Sequence, residues 1–104
     1  MVQRAATAAL VALSVSSLVQ QADFAASERT TALVTIAETN ARCLVETKHM
    51  KAAQAQDITT RFLTSKSVSD TERNEVKSAP GYGDLMRRYI DEKGGCEELV
   101  RQLR

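Results

Sequence analysis

Residues 27–47 read SERTTALVTIAETNARCLVET, and apolar side chains recur through them at steps of three and four. Leu33, Ile36/Ala37, Asn40 and Cys43/Leu44 fall on one stripe, the period of a helix packed on one side. Ser27 is placed to cap that helix, and Glu28 lies in the first turn, where a carboxylate favours the helix dipole. The segment therefore predicts a helix from about Ser27 to Thr47 with a cysteine on its packing side.

The same periodicity continues downstream. A second helix is expected over Met50–Ser65, with Ala55, Ile58, Phe62 and Leu63 inward and Gln54, Gln56, Asp57 and Arg61 outward. The connector Glu46–His49 is short, which makes the first two helices antiparallel neighbours. Ser69-Asp70-Thr71-Glu72 has capping-box spacing and opens a brief polar helix carrying Val76, which Ala79-Pro80-Gly81 ends. After the turn Gly81-Tyr82-Gly83, Asp84 is expected to cap a fourth helix to Lys93 with Leu85, Met86, Tyr89 and Ile90 on its inner edge. Gly94 supplies the stop. Cys96, Leu99, Val100 and Leu103 stand at i, i+3, i+4 and i+7 of a last helix. Strand signals are weak, and no Asn-Gly or Asp-Gly turn occurs. The expected fold is all-α: a small bundle of four to five short helices with one disulfide, preceded by an N-terminal signal helix.

That signal reading comes from the first 27 residues. Arg4 is the only charge before Asp23, and residues 8–19 (AALVALSVSSLV) form an apolar heart of about 12 residues, the secretory pattern. Small residues at Ala25-Ala26-Ser27 suit a signal peptidase, and cutting after Ala22 is an alternative. A membrane span needs roughly 20 mainly apolar residues, and Ser14, Ser16, Ser17, Gln20 and Gln21 interrupt this one. A buried helix of the working fold and a retained anchor are the competing readings. The expectation is a signal peptide over 1–27, cleaved near 22–27, then a single helical domain over 28–104 with no stable membrane span, periplasmic or secreted.

Seventy-seven residues make one domain, and domains below about 80 residues usually need a staple. Two cysteines in an exported chain predict a Cys43–Cys96 bond. Closing about 50 residues contributes roughly 4 kcal/mol in the chain-entropy account. Setting aside Arg4 and Asp23, 13 cationic side chains face 12 acidic ones. That balance, with one phenylalanine over 28–104 and no tryptophan, does not fit nucleic-acid binding.

Chemistry-bearing patterns are sparse. Cys43, Glu46 and His49 fall at i, i+3 and i+6, but zinc or copper needs further strong ligands and none stands at motif spacing. His49 therefore reads as a solvated turn residue, and no metal or cofactor is implied. Cys96 follows Gly94-Gly95 at a helix N-terminus, where a thiol is activated, yet a bonded cysteine is no nucleophile. No Gly-x-Ser-x-Gly, His-Glu-x-x-His or phosphate-cradling loop is present, so the chain reads as a non-enzyme. Arg87, Arg88, Arg101 and Arg104 form a possible partner surface, although Asp84, Asp91, Glu92, Glu97 and Glu98 alternate with them as on a solvated face.

Ala41-Arg42-Cys43-Leu44, the Phe62-Leu63 pair closing the second helix, and Gly94-Gly95-Cys96-Glu97 together resemble small uncharacterised exported proteins of marine cyanobacteria. The resemblance covers half to two-thirds of the domain, rests on short motifs, and implies no activity. In size, export and single bridge the chain is also similar to two-cysteine helical acid-stress chaperones of the periplasm, without matching residues. The functional expectation is an exported, non-catalytic binding or structural module with a protein partner. The alternative is a periplasmic stress- or acid-responsive chaperone, whose 12 carboxylates would lose charge in acid and leave 13 cations to loosen the fold.

Overall fold

A computed structural model describes residues 26–104. The expected leader lies outside the described residues except for Ala26 and Ser27. Five helices follow one another: α1 (Glu28–Glu46), α2 (Ala52–Ser65), α3 (Asp70–Ser78), α4 (Tyr82–Glu92) and α5 (Cys96–Leu103). No strand occurs among the described residues, so the all-α expectation holds.

Helix α1 is the hub. Each of the other four packs against it, and beyond that α3 meets α4. The Ser27 hydroxyl accepts from the Thr30 amide at 3.1 Å, and Glu28 occupies the first turn as its charge requires. Because neighbours cover α1 on several sides, its buried residues are not the expected stripe alone. Cys43 is fully buried, but so are Thr31, Val34 and Thr39, whereas Leu33, Ile36, Ala37, Asn40 and Leu44 are only half-buried. Threonine has the shape of valine, so it fills close helix contacts that a longer side chain would hold apart.

Two apolar clusters divide the interior along α1. Val34 gathers Leu63, Val68 and Val76, while Cys43 gathers Leu99 and Val100. Nine residues of helix put these centres about 13 Å apart. The first cluster joins α1, α2 and α3, and the second joins α1 to α5.

Turn chemistry sets the helix ends. The capping box at α3 is complete: Ser69 Oγ accepts from the Glu72 amide at 3.1 Å, and Glu72 Oε1 accepts from the Ser69 amide at 2.9 Å. Helix α4 begins three residues earlier than expected. Gly81, not Asp84, is its N-cap, and Asp84 sits in the first turn. Gly94, at φ 92°, closes α4 in a Schellman motif: the Gly95 amide donates to the Ile90 carbonyl at 2.9 Å. The same motif ends α1 and α2 at non-glycine residues. Lys48 (φ 64°) and Ser67 (φ 63°) take the left-handed position, and the His49 and Val68 amides return to Leu44 and Leu63, both at 2.9 Å.

Cys43 and Cys96 are joined, with sulfurs 1.97 Å apart and Cα atoms 5.0 Å apart. The bond fastens the first residue of α5 to the buried side of α1 across 53 positions of chain.

Candidate functional site

An apolar groove runs beside the line where α2 lies on α1. Ala55, Thr59 and Leu63, at i, i+4 and i+8, take the central line of contact and are buried. Ile58 and Phe62 stand one step round the helix and fall outside it. The expectation that both point inward is corrected here: Ile58 is 48% and Phe62 38% exposed, and Leu103 of α5 is 47% exposed. The stripe of α2 is wider than the surface α1 can cover, and Leu103 of α5 borders the groove without covering Ile58 and Phe62.

Ile36 and Leu44 of α1 form the floor, Ile58 and Phe62 one wall, and Met50 and Leu103 the end, enclosing about 230 Å³. Asn40 and Thr59 are the polar side chains in the lining. Asn40 Oδ1 accepts from the Tyr89 hydroxyl at 3.1 Å, and Thr59 Oγ1 donates to the Ala55 carbonyl at 2.8 Å. With these oxygens engaged inside the fold, the groove offers a visitor apolar area above all.

Cations mark its two ends. Lys66 Nζ lies 5.7 Å from the Phe62 ring centroid at the far end. At the near end stand exposed Lys51 and Arg104, whose guanidinium is 3.2 Å from His49 Nε2. Along the outer side, Arg61 and Asp57 compensate each other at 2.9 Å.

A second polar cluster lies on another side of α1. Glu38 is buried, and its Oε2 receives Arg73 Nε at 2.5 Å, with Lys77 Nζ at 3.6 Å. Arg73 also donates to Thr60 Oγ1 at 2.8 Å and Gln56 Oε1 at 2.9 Å, so one guanidinium ties α3 to both α1 and α2. Every hydrogen bond of this cluster is internal, which makes it a fastening. Nearby Tyr82 is held well above the usual tyrosine range, first by burial and then by the Glu38 charge, with Arg73 and Arg42 opposing. Burial also raises Tyr89, and the bond to Asn40 acts against that.

The four arginines expected to form a partner surface divide between two helices. Arg87 and Arg88 of α4 both bind the Asp84 carboxylate, at 2.7 and 3.1 Å, and Arg101 pairs with Glu98 within α5. Arg104 neighbours His49 instead. His49 is exposed, with Thr47 Oγ1 2.9 Å from its Nδ1. Among the described residues no group of three or more His, Cys, Asp or Glu is placed to hold a metal, and no cysteine is free. Glu46 Oε1 lies 3.7 Å from Cys96 Sγ, a contact with a bonded sulfur that carries no proton.

Sequence reasoning missed both the groove and the Glu38 cluster. A signal for the second was present, since Glu38 is the only charge between Arg29 and Arg42 on a helix otherwise built for packing. None marked the groove, because Ile58 and Phe62 have the same helical spacing whether or not a neighbour covers them.

What fold and site together define is a small all-α domain with one disulfide and an open apolar groove. No protein-family model, curated protein or solved structure matches the chain. The joined cysteines are compatible with an oxidising compartment, and no helix among the described residues is long and apolar enough to cross a membrane.

Proposed function

We propose that this chain is an exported, non-catalytic helical module that binds a protein partner along the α1–α2 groove. The observation that carries the reading is the exposure of Ile58, Phe62 and Leu103 around one apolar floor. Isolated apolar residues on a surface are ordinary, but a contiguous set shaped into a concavity marks a binding face. The groove is favoured over Arg87, Arg88, Arg101 and Arg104 because three of those arginines already hold a carboxylate. Export rests on the leader pattern and agrees with the joined cysteines.

A photo-crosslinking side chain in place of Ile58, introduced in cells, is expected to give a discrete adduct with one other protein. The same side chain at Asn74 on α3 is expected to give none. Adducts indifferent to position, or absent from Ile58, reject the reading.

An acid-responsive chaperone is the second reading, and the Glu38 cluster favours it. Arg73 and Lys77, one turn apart on α3, converge there on a single carboxylate, so two cations rest on one acidic group. Dye binding that rises only below about pH 3, where carboxylates are neutral, would support it, and a compact state unchanged at about pH 2 would end it.

A further inference from the structure

We infer that the groove takes an amphipathic helix whose apolar stripe is flanked at both ends by acidic residues. The inference rests on the groove reading and adds the secondary structure and charge of the occupant.

The first part follows from the walls. No strand is present among the described residues, so an extended segment finds no edge to pair with there. The groove instead has the furrow between two packed helices as its floor, and Ile58 and Phe62 stand four apart along its wall. A third helix laid in such a furrow inserts residues at i, i+3 or i+4 and i+7, as in other helix-in-groove recognition. Its own backbone groups stay paired internally, which suits a lining whose polar oxygens are engaged.

Charge gives the second part. Lys51 and Lys66 bracket α2, 15 positions apart, or about 22 Å of helix. Neither enters an ion pair among the described residues, and Lys66 leans over Phe62 at the groove's end. Arg104 adds a third cation beside Leu103. No acidic side chain lines the groove, and Asp57 is matched by Arg61. A visiting helix about 15 residues long therefore meets positive charge at each end and none to repel an acid in between.

Two labelled model helices of about 18 residues test this, sharing three leucines at i, i+4 and i+7 but ending in glutamates or in lysines. Fluorescence anisotropy against the full chain in about 50 mM salt is expected to show roughly tenfold tighter binding of the acidic helix. The gap is expected to close near about 500 mM salt, where exposed charges are screened. Lys51→Glu with Lys66→Glu is expected to reverse the preference without altering the circular dichroism spectrum. Equal affinities, an acidic preference that survives the double reversal, or no binding of either helix overturns the inference. Equal affinities that Phe62→Ser abolishes leave the groove reading standing and remove only the charge. Affinities that Phe62→Ser leaves unchanged remove both.

Discussion

At the scale of single residues, Glu38 and Arg73 form a buried ion pair that is costly to break from one side only. Arg73→Ala leaves a buried carboxylate with only Lys77 at 3.6 Å, and such orphaned charges cost about 3 kcal/mol. Urea denaturation is expected to show that loss, and replacing both partners by apolar residues (Glu38→Leu with Arg73→Met) is expected to recover most of it. Tyr82 carries a different signature. Its folded form favours the neutral phenol, so it contributes stability that is complete below about pH 10 and lost as pH rises further. Denaturation midpoints are expected to fall above that pH, and to fall less in Tyr82→Phe. Three hydroxyls run the other way. Thr31, Thr35 and Thr39 bury Oγ1 without a partner, so α1 gains valine-like shape there at the cost of three unsatisfied hydroxyls.

Helix ends govern the next scale. Lys48 and Ser67 hold the left-handed position that glycine occupies without penalty, and neither conformation is needed for the groove floor. Lys48→Gly and Ser67→Gly are each expected to raise stability by about 0.5 kcal/mol in thermal melts, the relief of the left-handed strain exceeding glycine's added chain entropy. Much at this scale was legible in advance. Ser27, the Ser69–Glu72 box and Gly94 announce their helix ends because caps are local chemistry, read from a few adjacent residues. The start of α4 was misplaced since Asp84 resembles a cap, while a backbone that turns at Gly81 needs no side chain to begin a helix. Burial was legible only where one face of a helix meets one neighbour. For α1, wrapped by four helices, and for α2, half uncovered, it depends on where remote segments land, and spacing carries no record of that.

For the molecule as a whole, the Cys43–Cys96 bond is the long-range constraint. Cys43→Ala with Cys96→Ala is expected to cost about 4 kcal/mol by the loop-entropy account, seen as a lower midpoint in chemical denaturation. The pairing itself was legible, because two cysteines on the packing sides of two helices leave one intramolecular choice. Its further meaning lies in what α5 carries. Leu103 closes one end of the groove, and α5 reaches α1 through a small cluster built around the joined sulfurs. With the thiols open, α5 would be held to α1 by the packing of Leu99 and Val100 alone, and Leu103 would lose its covalent tether. The bond thus fixes by covalent means where the last turn of the chain lies along α1, a placement that packing would otherwise have to hold unaided.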